Sequence, residues 1–235
     1  MSAPALAISF FDSAHEIHGT ARSGATILFE GRRPAPYPDG LTLQPAGEAW
    51  RAELPGVLDL ELAPISAAAD LGQVTERICR VTGTAAGRRV DALGTLAETH
   101  APPRWEGLDA LRSLTALASE GRSFLALAHR PRGALGHGEE RVDAVLVDGD
   151  DLLSVEDARI STVYDPEGRQ RSAGLELWVP GQELPYRGSG SVIAGSSLTI
   201  DGLHVHTAVF RWRLDGRDAI GAYELTVRAE PPAAA

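Results

Sequence analysis

The segment from Leu203 to Arg228 constrains the fold more than any other part of the sequence. Two stretches of alternating character flank the dipeptide Asp215-Gly216. Asp-Gly between alternating stretches is a strong hairpin signal, because glycine accepts the positive φ that primed turns need. The segment therefore predicts two long antiparallel strands joined by a tight turn.

The first of these strands divides into two unlike faces, since successive side chains of a strand point to opposite sides. One face carries two histidines and two aromatic residues: His204, His206, Ala208, Phe210 and Trp212. The other carries Val205, Thr207, Val209, Arg211 and Arg213. A face of imidazoles and aromatic rings is typical of the lining of a ligand cavity. We therefore expect an antiparallel β protein built around a small-molecule site.

Turn residues recur about every 8–12 positions along most of the chain, as in β-sandwiches and barrels. The exception is the stretch with leucines at 108, 111, 114 and 117, whose spacing predicts one short helix that ends near Gly121. The expected fold is all-β and antiparallel, with two packed β units. Their expected limits are 1–100 and 122–230, joined by a helical connector at 101–121 and followed by a frayed tail at 231–235.

Composition narrows the classes of partner. The formal net charge is −10, and the sequence has no stripe of basic residues. Both features argue against nucleic acid or an anionic membrane as the binding partner. No apolar run reaches the ~18 residues of a membrane helix, and the N-terminal stretch lacks the features of a signal peptide. We expect a cytoplasmic protein, with a homodimer left open. Cys79 is expected to be a small buried side chain.

The sequence contains no lysine, which excludes Schiff-base chemistry and attachment of pyridoxal phosphate. A Walker A loop, a dinucleotide-binding glycine motif and a G-x-S-x-G elbow are also missing from it. We therefore expect no cofactor and no resident metal.

In the order of its segments the chain resembles the lipocalin-like superfamily of carotenoid 1,2-hydratase (hydroxyneurosporene synthase), the AttH proteins and tocopherol cyclase. The likeness rests on "HGTARSGATILFEG", "RWEGLDALRSLTALASEGRSFLALAHRPRGALGHGEE", "ARISTVYDPEGRQRSAGLELW" and "VFRWRLDGRDAIGAYEL". It implies two lipocalin-like β units around an apolar cavity. It also implies hydration or ring closure of isoprenoid or polyketide-like substrates without a cofactor.

Two carboxylates are candidate acids for such a reaction. Glu176 shares a strand face with Trp178, and a carboxyl group beside an indole in a cavity has a raised pKa. Glu139 follows His137 by two residues, so on an extended segment both side chains face one way and could share a proton. An exposed face for Glu176 and a solvated loop for Glu139 are the alternatives.

The pair His204 and His206 could line the cavity, with His206 activating water, or could bind a metal if a third ligand joined them. The predicted catalytic residues are Glu176, Glu139, His137 and His206. The predicted ligand-binding residues are Trp178, His204, Phe210, Trp212, Tyr223 and Trp105. Aromatic faces would stabilise a cation formed by alkene protonation.

Three hypotheses follow from these residues. The first is a protein that binds a hydrophobic, isoprenoid-like molecule and acts as a hydratase or cyclase. The second is a non-catalytic carrier or sensor, whose cavity can be apolar except at its rim. The third is a metal-dependent β-barrel enzyme.

Overall fold

The computed structural model describes residues 5–22, 24–38, 40–118 and 122–228, without the side chain of His137. These residues form two curled antiparallel sheets, each a half-barrel, and almost no helix. The predicted all-β, lipocalin-like fold class is thus confirmed. The predicted tail at 231–235 lies outside the described residues.

The N-terminal sheet comprises β1 Ala5–Asp12, β2 Ile17–Arg22, β3 Ala25–Glu30, β4 Arg33–Tyr37, β5 Thr42–Ala46, β6 Ala49–Leu54, β7 Leu58–Pro64, β8 Ala69–Asp70, β9 Val74–Ala85 and β10 Arg88–Thr99. Its order is β4-β3-β2-β1-β10-β9-β7-β6-β5, with β8 paired to β9. The first strand of the sheet therefore lies beside the last.

The C-terminal sheet comprises β11 Leu108–Ala116, β12 Ser123–Pro131, β13 Arg141–Asp148, β14 Asp151–Ser154, β15 Asp157–Tyr164, β16 Gln170–Trp178, β17 Tyr186–Ile200, β18 Leu203–Leu214 and β19 Arg217–Arg228. Its order is β14-β13-β12-β11-β19-β18-β17-β16-β15. The two sheets share one plan, a four-stranded meander followed by a longer one that returns to the first strand. Short 3-10 turns span Trp105–Gly107 and His137–Glu139.

The predicted C-terminal hairpin is confirmed. Strand β18 pairs with β19 from Leu203↔Arg228 to Leu214↔Arg217. Asp215 and Gly216 both have positive φ, of 45° and 81°, as a type I′ turn requires.

The predicted helix near residue 108 is wrong, since Leu108–Ala116 is strand β11. Both faces of this strand are covered by protein. Leu114 belongs to the interior of the C-terminal sheet, whereas Leu111 and Leu117 belong to the contact between the two sheets. A strand with apolar residues on both faces loses its simple alternation, so its leucines matched a helical spacing by chance.

The apolar residues form three cores. One lies inside the N-terminal sheet, where the expected burial of Cys79 is confirmed, and one lies inside the C-terminal sheet. The third, which we call the seam, joins the two sheets. The seam includes Phe11, Phe29 and Ile78 from the N-terminal sheet and Leu125 and Val209 from the C-terminal sheet.

The sheets divide the chain between Thr99 and Leu108. The assignment of each sheet to a separate domain stays a prediction. In the described part of the chain, no helix has the length and apolar character needed to cross a bilayer.

Candidate active site between the two sheets

A cavity of about 310 Å³ lies where the two sheets meet, and we call it the inter-sheet cavity. Strands β1, β2, β9 and β10 contribute one side, and β11, β12 and β19 the other. Aliphatic side chains such as Leu71, Val74, Leu111 and Leu127 make up much of its wall. Its volume lies at the lower end of the ~300–1,000 Å³ of small-molecule sites.

Glu76 on β9 is the ionisable group enclosed in this cavity, with 5% of its surface exposed. Burial raises its pKa to about 7, because the desolvated carboxylate is unfavourable, while a hydrogen bond with Thr95 opposes the rise. Near neutral pH a substantial fraction of Glu76 therefore carries a proton. A protonated carboxyl group in an apolar wall is a competent general acid.

Hydroxyl groups stand near Glu76 in the same wall. The hydroxyls of Ser9 and Thr95 lie 2.8 Å apart across the β1–β10 pair. On the opposite side, the backbone N–H of Ala222 donates to Thr115 Oγ1 at 2.9 Å. These groups can orient a water molecule or a polar atom of a ligand without contributing charge.

An ion pair crosses the seam at the edge of the cavity. Arg22 of β2 pairs with Glu224 of β19, which also accepts a hydrogen bond from Thr207 at 3.1 Å. The negative charge of Glu224 raises the pKa of Arg22. Because 39% of the Arg22 side chain is exposed, this pair faces both solvent and the cavity.

The predicted aromatic ligand-binding residues form a different cluster, inside the C-terminal sheet. Phe210, Trp212 and Tyr223 are fully buried there. The ring of Phe210 lies 5.2 Å from that of Trp212 and 5.4 Å from that of Tyr223. The three residues therefore lie together, but they pack against one another rather than line the inter-sheet cavity.

A buried polar network adjoins these rings. Arg112 of β11 donates to Tyr223 Oη at 3.0 Å and to Thr162 Oγ1 at 3.1 Å, and it pairs with the buried carboxylate of Glu140. Arg130 also contacts Glu140, at 2.8 Å. Burial raises the pKa of Tyr223 to about 12, so the phenol stays protonated. The mutual pairing of these groups is typical of a structural network.

The two predicted acids lie apart from both regions. Glu176 has 38% of its side chain exposed and lies 3.3 Å from Arg187. Its strand turns Ala173, Leu175 and Leu177 inward, which leaves Glu176 on the outer face. Glu139 is exposed in a 3-10 turn. The side chain of His137 lies outside the described residues.

The two predicted histidines of β18 bond to hydroxyls of β17. His204 Nδ1 lies 3.0 Å from Thr199 Oγ1, and His206 Nδ1 lies 2.7 Å from Ser197 Oγ. His204 is exposed and His206 is partly buried. Burial lowers the pKa of His206. The described residues contain no group of three or more potential metal ligands.

The remaining predicted residues are Trp105 and Trp178, both partly buried. Trp105 lies in the 3-10 turn before β11, and Trp178 ends β16. The indole Nε1 of Trp178 is buried without a hydrogen-bond partner in the protein. Neither lines the inter-sheet cavity.

Sequence reasoning missed Glu76, Arg22 and Glu224. A signal for Glu76 was present, because it shares one face of its strand with the apolar residues Val74 and Ile78. A carboxylate among apolar residues of the same parity marks a buried acid. Nothing in the sequence indicated that this face meets a second sheet.

The paired half-barrels define a lipocalin-like β protein whose described cavities include one between its two sheets. The solved structures with this fold include three whose alignments each cover 97% of the chain. An AttH-like protein from Nitrosomonas europaea has a TM-score of 0.66, 9% identity and 93% of its own length covered. Kievitone hydratase from Nectria haematococca has a TM-score of 0.60, 11% identity and 89% coverage.

The third structure, CghA, has a TM-score of 0.63, 11% identity and 88% coverage. No family model matches the chain, and no curated protein matches its sequence. At these identities the likeness concerns the fold, and it confirms the fold resemblance drawn from the sequence.

Proposed function

We propose that this chain binds a hydrophobic, isoprenoid-like molecule in the inter-sheet cavity and hydrates or cyclises it without a cofactor. The observation that carries the proposal is Glu76, a carboxyl group enclosed in an apolar wall with a pKa of about 7. One protein of the same fold, kievitone hydratase, is a hydratase by name. An apolar cavity that contains one protonated acid supports acid catalysis on an unsaturated substrate.

The proposed step begins with transfer of the Glu76 proton to an alkene carbon. The π electrons form the new C–H bond, and the neighbouring carbon becomes a cation beside the newly formed carboxylate. Water then adds and returns a proton to Glu76, which gives an alcohol. Alternatively, a second double bond attacks the cation, and loss of a proton to Glu76 completes a ring.

The surroundings of the cation differ from the sequence-based prediction. Among the described residues that line the inter-sheet cavity, none is aromatic. We therefore assign charge stabilisation to the Glu76 carboxylate that the proton transfer leaves, rather than to Trp178, Trp212 and Tyr223. Ser9 and Thr95 are the proposed positioning groups for water.

The volume of the cavity limits the substrate. At about 310 Å³ it suits a small isoprenoid, or one end of a longer one. We propose that the reacting double bond lies within the part of the ligand that reaches Glu76.

The test compares wild-type protein with Glu76→Gln, using Glu48→Gln, an exposed carboxylate, as the matched control. Each protein is incubated in D₂O with compounds extracted from wild-type protein purified from its host. If no compound is extracted, geraniol is used instead, and the products are analysed by mass spectrometry. We expect deuterium incorporation by wild type and the control, and a rate about 10²–10⁴-fold lower for Glu76→Gln.

Equal turnover by Glu76→Gln and wild type would contradict the assignment of the acid. Tight binding without conversion by any variant would favour the carrier hypothesis. That hypothesis is supported by the pairing of Arg22 with Glu224 and of Ser9 with Thr95, which leaves few polar groups unengaged in the cavity wall.

A further inference from the structure

A second cavity, of about 450 Å³, lies beside the inter-sheet cavity. The tight turn between β8 and β9 separates the two. Leu71 of that turn and Val74 at the start of β9 line the first cavity, whereas Gly72 and Gln73 of the turn line the second. We call this second space the polar cavity.

The polar cavity is unusual in its unpaired hydrogen-bonding groups. Both ring nitrogens of His129 and the side-chain oxygen of Gln73 are buried, and none has a hydrogen-bond partner within the protein. Most buried polar atoms in native proteins are paired, so each exception requires a reason. Three such atoms occur here in two residues that line one cavity from different sheets.

The protonation state of His129 fixes what it can bind. Burial lowers its pKa, an effect that Arg141 reinforces and Asp143 opposes. At neutral pH the imidazole is therefore uncharged, with one nitrogen that donates and one that accepts. Gln73 adds a carbonyl oxygen, which accepts. One donor and two acceptors at the wall of this cavity are therefore buried without a partner in the protein.

We propose that the polar cavity binds a neutral, hydroxyl-rich group, such as a polyol or a polyphenol ring. A hydroxyl both donates and accepts, so two hydroxyls can satisfy all three atoms. A carboxylate can only accept, which would leave Gln73 unpaired. An ammonium group can only donate, which would leave the imidazole N–H unpaired. This site goes beyond the proposed function and does not depend on the chemistry of Glu76.

Binding requires small movements of His129 and Gln73. The His129 nitrogens and Gln73 Oε1 lie beneath the cavity surface, so rotation of the imidazole ring about the Cβ–Cγ bond, and of the Gln73 amide group, accompanies contact with the ligand. The movement predicts a change in the NMR signals of this ring when the site is filled.

The experiment titrates wild-type protein at pH 7.5 with catechol, benzoate and benzylamine, three probes that share a ring and differ in hydrogen-bonding groups. Imidazole signals are followed by NMR and assigned with His129→Phe. We expect catechol to shift the His129 signals and to bind at least tenfold more tightly than the other two. Equal affinities for the three probes, or no shift of the His129 signals, would overturn the proposal. Measurements on the wild-type protein are sufficient for this test.

Variants locate the site. His129→Phe and Gln73→Met are expected to weaken catechol binding at least tenfold. His204→Ala, an exposed imidazole, and Glu76→Gln are expected to leave it unchanged. Retained binding in both cavity variants would place catechol elsewhere and refute the proposal. Loss of turnover in Glu76→Gln with catechol binding intact would separate this site from the proposed acid.

Discussion

At the scale of the residue, enclosure decides which carboxylate can work as an acid. Glu176 remains partly exposed and lies 3.3 Å from the guanidinium group of Arg187. None of the ion pairs between described residues includes Glu76, and burial dominates its pKa. The same residue type is thus part of a surface ion pair in one strand and a buried acid in another.

The raised pKa of Glu76 predicts a pH-dependent stability. Below about pH 4.5 the group is protonated in both the folded and the unfolded state. Between about 4.5 and 7 the folded state holds the proton more strongly, so the free energy of unfolding falls as pH rises. The shift corresponds to about 3 kcal/mol once pH exceeds 7.

Glu76→Gln removes this titration and keeps the shape of the side chain. We expect its stability relative to wild type to increase between pH 4.5 and 8, as measured by urea unfolding at both values. Glu48→Gln should follow wild type throughout. If the difference in free energy of unfolding between Glu76→Gln and wild type is the same at both pH values, the Glu76 carboxyl group does not have a raised pKa.

At the scale of the element, tight turns and strand faces determined what the sequence could predict. The hairpin at Asp215-Gly216 and the inward face of β16 were predictable, because turn chemistry and alternation are local. Strand β11 was not, since its two faces meet different partners: Arg112 and Leu114 face one interior, whereas Leu111 lines the inter-sheet cavity. Glu76 was not predicted for the same reason, because its burial depends on the second sheet, which is distant in sequence.

Close contact between β11 and β19 requires glycine at position 221. A Cβ at Gly221 would overlap the backbone carbonyl of Thr115, and that backbone cannot move without breaking the pairing of the two strands. We expect Gly221→Ala to lower the free energy of unfolding by about 1–3 kcal/mol or more.

Gly195→Ala is the matched control, since the nearest atom to its added methyl would lie 3.6 Å away. We expect that variant to change stability by less than about 0.5 kcal/mol. Similar melting temperatures for the two variants would argue against a close approach at Gly221.

At the scale of the whole molecule, two sheets of one topology pack through the seam and create a site that neither forms alone. Residues from both sheets line the inter-sheet cavity. This arrangement explains why the candidate site could not be assembled from the sequence. Alternation assigns residues to faces, but the partner of a face depends on how the sheets pack.

The seam predicts cooperative unfolding. Leu125 is fully buried there, and Leu125→Ala is expected to cost about 2–5 kcal/mol while the protein still unfolds in a single transition. Leu184→Ala, at a leucine that is 77% exposed, should have little effect. Two separated transitions in calorimetry would indicate that the sheets unfold independently.

The most direct test of the central claim is the pKa of Glu76, measured from the ¹³C chemical shift of its carboxyl group and assigned with Glu76→Gln. We predict a midpoint of about 7 in the free protein, as expected for a proton donor enclosed between the sheets. A midpoint near the ordinary 4.5 would mean that water or a cation reaches the carboxylate, and it would contradict the proposed acid.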